Sequence, residues 1–283
     1  MMGGHHAASG AAAWIAVTAS TPIASGWYPV SDVGVMTGAL VCAGAALLPD
    51  VDHRSGTIAH SLPPVSEAAT RLVGALTGGH RKGTHSLLGV LVFVAIAWAA
   101  SLATVRTEQF GSVLVGPGIM AVLLIAFALR ALKLTRKGWW WPWLTSVSLA
   151  GMVAVFAPEE WYWMPFCVGL GCLAHLVGDL LTTHGIPLLW PIRLRSPRWV
   201  RRAKVLPFDD MWRPSGNIAI PLLGDAGSWR EWLVMTPVSL YAVVGFTWAA
   251  LDQMGFDTLA VWSAASVWVA ETVVPTVAGL LDL

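Results

Sequence analysis

The chain has 283 residues, of which 56% are hydrophobic and 12% are charged, and its mean hydropathy is +0.65. Soluble domains carry about 25% charged residues, so this composition excludes an ordinary soluble protein and predicts an integral membrane protein surrounded by membrane lipid. The net charge of +1 gives no reason to expect nucleic acid as a partner.

Apolar segments recur along the chain, and several approach or exceed the roughly 18 residues that cross a bilayer. They cover about residues 8–26, 33–49, 85–105, 112–132, 143–158, 161–183, 232–251 and 258–280. The first, second and fifth are short or interrupted, so we expect half-helices or re-entrant pieces among them. The pattern predicts an all-α fold, a polytopic transmembrane helical bundle of about eight spans, in a single membrane domain over residues 1–283.

Basic residues fall on alternate loops of this predicted topology. All of the 17 Lys and Arg residues except Arg106 lie in 50–84, at the end of the fourth span, or in 184–231. Because Lys and Arg favour the cytoplasmic side, we expect both termini and these loops to face the cytoplasm. Within loop 184–231, the basic run at 196–204 indicates either contact with anionic lipid headgroups or a plain topology signal.

Three stretches with histidine and aspartate interrupt the apolar sequence: LPDVDH at 48–53, HRKGTHS at 80–86 and HLVGD at 175–179. Their metal-capable side chains are Asp50, Asp52, His53, His80, His85, His175 and Asp179. Each stretch lies where a predicted span meets the cytoplasmic face, and ionisable groups inside a membrane are costly and usually functional. Thr84 or Ser86 is expected to cap the helix of the third span.

The spacing within the stretches favours a shared metal site. His175 and Asp179 are four residues apart on a predicted helix, so they share one face. If the backbone is extended at Asp50 and Asp52, both carboxylates point the same way. Imidazole and carboxylate suit zinc or manganese, and so many ligands suit two ions, or one ion with residues that orient its ligands. The alternatives are an isolated hydrogen bond between His175 and Asp179, and ordinary solvated loop residues in the other two stretches.

The same stretches resemble the motifs of the YdjM-type inner-membrane metal-dependent hydrolase family, which are LPDxDH, HRxxTHS and HxxxDxxTxxG followed by a proline and an aromatic–proline pair. The third motif falls on His175, Asp179, Thr182, Gly185, Pro187, Trp190 and Pro191. The resemblance implies a hydrolase in the inner membrane whose metal site is built from these motifs, and it leaves the substrate open.

Three further residues are weaker candidates. His6 loosely matches an early family histidine, and Glu231 a late family glutamate; the alternatives are a loose terminus and a carboxylate at a helix start. His184 stands where the family pattern has no ligand, so it could be an additional ligand, a proton shuttle or a neutral substitution.

The predicted function is a metal-dependent hydrolase that opens to the cytoplasm and cleaves a phosphoester with metal-activated water. Its location at the bilayer surface suggests a lipid phosphoester. Asp52 or Asp179 is the expected general base. Arg54, Arg81 and Lys82 could neutralise a phosphate, although the positive-inside rule also accounts for their location. The alternatives are a divalent-metal transporter and a structural membrane protein with a metal staple. The sequence indicates no oligomeric state.

Overall fold

The computed structural model describes residues 1–108, 111–158, 160–192, 195–197 and 211–276. These residues are mainly helical, which confirms the predicted all-α fold, and a short hairpin pairs β1 (Val105–Thr107) antiparallel to β2 (Gly111–Val113). The helices are α1 (Gly3–Thr18), α2 (Asp32–Ala45), α3 (Val65–Leu76), α4 (Leu87–Ser101), α5 (Val115–Ala131), α6 (Trp140–Phe156), α7 (Met164–Leu180), α8 (Trp229–Gln253) and α9 (Thr258–Trp268).

Helix length divides the apolar segments into two groups. Three helical segments of the described residues are long and apolar enough to cross a membrane: Asp32–Asp52, Trp229–Gln253 and Thr258–Thr276. Helices α4 to α7 are apolar but have only 15 to 17 residues. At about 1.5 Å per residue they are shorter than a hydrocarbon core of about 30 Å. The predicted count of eight spans is therefore not confirmed.

Two elements differ from the expected boundaries. Helix α1 covers Gly3–Thr18, whereas the predicted span covered 8–26, so the helix starts earlier and ends before Pro22. Helix α3 lies in the segment 50–84, which was expected to be a loop. Of loop 184–231, residues 193–194 and 198–210 lie outside the described residues, so most of the basic run at 196–204 does too.

Small residues let α2 occupy the centre of the bundle, where it contacts α1, α5, α7 and α8. A Cβ atom at Gly171 of α7 would lie 2.6 Å from the carbonyl oxygen of Cys42 in α2. A Cβ atom at Gly44 would lie 1.9 Å from the carbonyl oxygen of Leu124 in α5. Only glycine permits such close backbone approach, a common device in membrane helices. The ends of α2 and α7 are thereby held side by side.

The chain between α7 and α8 returns to the end of α7 and places the start of α8 there. The Ile220 amide donates to the carbonyl of Leu180 at 2.7 Å, and the Leu223 amide donates to that of Leu181 at 3.0 Å. The start of α8, which carries Glu231, consequently lies at the same end of the bundle as Asp179.

Candidate metal centre

The three histidine–aspartate stretches meet at one end of the bundle. Beyond α2, Leu48–Asp52 forms a 3₁₀ turn, and Gly83–His85 forms another just before α4. A 3₁₀ helix has about three residues per turn, so side chains two apart diverge. Asp50 and Asp52 accordingly face different partners, which corrects the expectation of an extended backbone with parallel carboxylates.

The central group of the site is Asp50, His85 and His175. The Nε2 atoms of the two buried histidines are 3.3 Å apart. Asp50 Oδ1 lies 3.4 Å from His85 Nε2 and 3.9 Å from His175 Nε2. Bonds of about 2.0–2.1 Å at tetrahedral angles place ligand atoms roughly 3.3–3.5 Å apart. The three atoms therefore fit around one divalent ion with only a small adjustment.

Hydrogen bonds on the far side of each ring define which nitrogen is free. His175 Nδ1 donates to the carbonyl of Ala46 at 2.7 Å. The Thr84 hydroxyl donates to Asp52 Oδ2 at 2.7 Å, so it accepts from His85 Nδ1 at 3.1 Å. In neutral imidazoles both Nε2 atoms then carry lone pairs. Two lone-pair nitrogens on buried rings and a carboxylate oxygen of the partly exposed Asp50 converge, and such a group could hold a metal ion.

Asp179 borders the same two nitrogens. Its Oδ2 atom lies 3.6 Å from His85 Nε2 and 3.7 Å from His175 Nε2. Its Oδ1 atom contacts Arg81 Nη2 at 3.1 Å, His6 Nε2 at 3.3 Å and the Met1 amino nitrogen at 2.8 Å. The structure therefore does not contain an isolated His175–Asp179 hydrogen bond, because each side chain has other partners.

His6 belongs to the site rather than to a loose terminus. It is buried on α1, and its ring stacks on that of His175 with 3.7 Å between the ring centroids. His6, His175 and Asp179 form a second group with ligand geometry. No described residue is a partner of His6 Nδ1, which is buried. His6 Nδ1 is therefore available for a further interaction at the site.

A third group consists of Asp52, His80 and His85. His80 Nδ1 lies 2.9 Å from Asp52 Oδ1, and the His80 side chain is 35% exposed. His53 is in none of the three groups, and its ring centroid lies 4.2 Å from that of His80. Burial, and secondarily the neighbouring His80, lowers the pKa of His53. Because His85 and His175 are shared between groups, the arrangement could hold one ion or two.

The remaining candidates lie farther out. Glu231 accepts hydrogen bonds from the amides of Met2 and Gly227, each at 2.8 Å, and lies 2.6 Å from His5 Nδ1. It therefore ties the start of α8 to the start of α1. His184 is exposed, and its ring contacts Thr183.

Two cavities adjoin the site, and the basic candidates are distributed unequally between them. The first, of about 300 Å³, is lined by Asp50, Asp179 and Arg81 among others. The second, of about 600 Å³, is lined by residues that include Asp52 and Arg54. His53 and His80 line both. Lys82 lines neither, and its side chain packs over Gly78 and Gly79.

Arg81 is held in an unusual backbone conformation, with φ at 56°. Non-glycine residues in this left-handed region are strained and often mark functional sites. Its Nη2 atom contacts Asp179, whereas no described residue is a partner of its buried Nη1 atom. Arg81 therefore presents a spare donor where the first cavity meets the metal centre.

Two contributions escaped sequence reasoning. The sequence predicts Thr84 or Ser86 as a helix cap. In the structure Ser86 accepts from the Gly89 amide and caps α4, while Thr84 bridges Asp52 and His85. The position of Thr84 in HRKGTHS, immediately before His85, was a usable signal. The contact of His5 with Glu231 could not be predicted, because the two residues are distant in sequence.

Comparison with known proteins identifies one family. The family model described as YdjM inner membrane protein matches residues 1–254. Inner membrane protein YdjM of Escherichia coli (strain K12) and its namesake from Shigella flexneri are each 29% identical to this chain over 169 residues. That match covers 60% of this chain and 53% of each relative, so the chain spans about half the length of these relatives. No solved structure matches the chain.

Proposed function

This chain belongs to the YdjM inner membrane protein family, and on that premise we propose that it is a metal-dependent hydrolase that cleaves phosphoesters. The observation that carries the proposal is the convergence of Asp50 and the buried His85 and His175 as lone-pair donors beside a cavity that Asp50 and Arg81 line. Zinc or manganese is the proposed ion, since both accept imidazole and carboxylate.

A divalent ion bound there would supply a Lewis acid that makes water nucleophilic near neutral pH. Asp50, His85 and His175 would hold it, and Asp52 would orient His85 through Thr84. Both oxygens of Asp52 are engaged by His80 and Thr84. Arg81 contacts both oxygens of Asp179, but Asp179 Oδ2 also faces the two free histidine nitrogens at 3.6 and 3.7 Å. We therefore propose Asp179 as the general base.

In the proposed reaction, Asp179 Oδ2 takes a proton from the attacking water as the water oxygen bonds to phosphorus. The phosphorus–oxygen ester bond breaks, and the leaving oxygen takes up a proton from solvent. Arg81 Nη1 would donate to a phosphoryl oxygen, whose negative charge grows as the bond breaks. The spare donor of Arg81 is the feature that favours a phosphoester over an uncharged ester.

The proposed orientation places the site and both termini in the cytoplasm, in a multi-pass protein of the inner membrane. All basic residues except Arg106 lie on the loops and helix ends assigned to that side. The ends of α2 and α7 and the starts of α1, α4 and α8 all lie at the end of the bundle that carries the metal centre, consistent with one shared face.

Two alternatives are less favoured by the geometry. A metal ion that only stabilises a fold has closed coordination, whereas a cavity of about 300 Å³ adjoins this centre. Transporter sites lie near the membrane midplane on interrupted helices. This centre instead lies at helix ends, where Asp50 follows α2 and Asp179 precedes the last residue of α7.

The test is phosphate release from a panel of soluble and lipid phosphoesters by purified protein loaded with zinc or manganese. We expect release by the wild type, loss of release in Asp50→Asn, and retention in His184→Ala, whose side chain lies outside the centre. If wild-type protein with stoichiometric bound metal releases phosphate from none of the esters, the phosphoester proposal is wrong.

A further inference from the structure

Helix α3 presents its apolar face outward. Its outward residues recur at helical spacing and are Val65, Ala68, Ala69, Leu72, Ala75 and Leu76. Val65, Leu72 and Leu76 are 65%, 61% and 75% exposed, whereas Ser66 and Thr70 are buried. A helix on a water-soluble surface has the opposite arrangement, with its apolar stripe facing the core.

Hydrogen bonds hold α3 in this orientation. Ser66 Oγ donates to the carbonyl of Ala59 at 2.7 Å and accepts from the amide of Leu62 at 3.0 Å. On its inner side α3 packs against the 3₁₀ turn Leu48–Asp52. The polar face of α3 is thus the face that contacts the rest of the protein. Its apolar face consequently points outward.

The position of α3 along the membrane normal follows from its neighbours. It packs on the end of the apolar segment Asp32–Asp52, which is long enough to cross the membrane. Four residues before α3, the carbonyl of Ser61 accepts from Trp143 Nε1 at 2.8 Å, and Trp143 lies in the first turn of α6. Nearby Trp139 and Trp140 are 55% and 44% exposed. Exposed tryptophans concentrate at the membrane–water boundary, so α3 lies at that depth.

We propose that α3 lies flat in the membrane interface, with its apolar face in lipid, and that the second cavity is a lateral entrance from the leaflet to the metal centre. Asp52, His53 and His80 line that cavity on the side of the centre, and Thr70 and Arg71 line it on the side of α3. The substrate class is then a phosphoester with an apolar tail, which stays in lipid while its headgroup enters.

Basic residues along this route match an anionic headgroup. Arg54 and Arg71 line the second cavity, and Arg81 lines the first. Arg71 is paired only loosely, at 3.6 Å from Glu67, and its side chain is 67% exposed. The two cavities share His53 and His80 as a wall, so a headgroup passing these rings would reach the centre. This route rests on the proposed function, whereas the placement of α3 does not.

Quenching measurements test the placement. The full chain would be labelled with an environment-sensitive fluorophore at Leu72→Cys or, as control, at Ser55→Cys, which is exposed in the loop after the 3₁₀ turn. The native cysteines are buried. In vesicles of phosphatidylethanolamine and phosphatidylglycerol, we expect nitroxide lipids to quench the label at position 72 and aqueous iodide to quench that at position 55.

Two results would overturn the placement. Iodide quenching at position 72 equal to that at position 55 would mean that α3 faces water. Quenching at position 72 by neither agent would mean that protein covers α3, as in a dimer of this chain.

The entrance is tested separately with the double variant Leu72→Asp/Leu76→Asp. We expect hydrolysis of a long-chain phosphoester in vesicles to fall by about tenfold, because charged groups leave the lipid interface, while a short soluble phosphoester is cleaved at the wild-type rate. Unchanged metal content would show that the centre has folded. Equal losses on both substrates would overturn the entrance. Absence of hydrolysis in the wild type would instead overturn the proposed function and leave the quenching result intact.

Discussion

Thr84 couples two candidate metal-binding residues through one hydroxyl group. It donates to Asp52 and accepts from His85, which leaves the Nε2 atom of His85 free to face His175. The motif HRKGTHS indicates His85 as a candidate metal ligand, because ionisable groups beside a membrane span are usually functional. It could not predict the role of Thr84, since that depends on Asp52, which is 32 residues away in sequence.

Replacing Thr84 with valine should remove the bridge and keep the side-chain shape. His85 would lose its Nδ1 acceptor and Asp52 would lose a donor, so we expect zinc affinity to fall about 10–100-fold. Competition of the purified protein with a chromogenic chelator measures this affinity. Thr37→Val is the matched control, because the Thr37 hydroxyl donates only to a carbonyl of its own helix. Equal affinity in Thr84→Val and Thr37→Val would contradict the proposed role.

Arg81 should govern anion binding more than folding. We expect Arg81→Gln to weaken binding of inorganic phosphate to the metal-loaded protein by about tenfold or more, because a charge-assisted hydrogen bond contributes about 1.5–3 kcal/mol. Calorimetric titration measures the change. Arg106→Gln is the control, since Arg106 is exposed in the β hairpin between α4 and α5. Phosphate binding that is unaffected by Arg81→Gln would remove Arg81 from the proposed reaction.

Helices with long apolar runs could be predicted from sequence, and α4 to α9 lie within the predicted segments or close to their limits. Two other elements could not be placed by hydropathy. Helix α1 begins at Gly3 because Glu231 and Asp179 hold its polar start. Helix α3 has only 12 residues, and its periodic Val, Ala and Leu residues were outweighed by charged neighbours in the same loop.

Gly171 sets the distance between the two helices that carry the centre. In Gly171→Ala the new Cβ atom would lie 2.6 Å from the carbonyl oxygen of Cys42, so α7 must move away from α2 and take His175 with it. Overpacking of this kind costs about 1–3 kcal/mol. We expect a lower melting temperature and weaker zinc binding, measured by thermal denaturation and chelator competition. Gly151→Ala on α6 is the control, because its Cβ atom would have no neighbour within 4 Å. Similar behaviour of the two variants would contradict the role of close α2–α7 packing.

The orientation of the whole molecule rests on charge rather than on packing. Basic residues can predict which side of the membrane a loop faces, because Lys and Arg favour the cytoplasmic side. The number of membrane crossings cannot be predicted in the same way, because it depends on how the bilayer accommodates short helices such as α4 to α7. The metal centre itself could be predicted as a meeting of three motifs. Its partition into groups that share His85 and His175 could not, because that depends on the two 3₁₀ turns.

Labelling of single cysteines by a membrane-impermeant maleimide tests the orientation. Ser55→Cys lies beside the centre, and Glu108→Cys lies in the hairpin between α4 and α5; both positions are exposed. We expect Ser55→Cys to react only in inverted membrane vesicles, where the cytoplasmic side faces the reagent. We expect Glu108→Cys to react in cells with a permeabilised outer membrane, where the opposite side faces the reagent. The reverse pattern would place the centre outside the cytoplasm.

Metal binding by Asp50, His85 and His175 is tested by the metal content of detergent-purified protein after exposure to zinc or manganese and removal of excess ion. We predict one or two tightly bound ions in the wild type, loss of a bound ion in His85→Ala and Asp50→Ala, and wild-type content in His184→Ala, because only the first two variants remove atoms of the central group. A metal-free wild type would mean that a proton rather than a metal ion satisfies the convergent lone pairs. His85→Ala protein that retains the wild-type content would mean that the ion is not held by the central group.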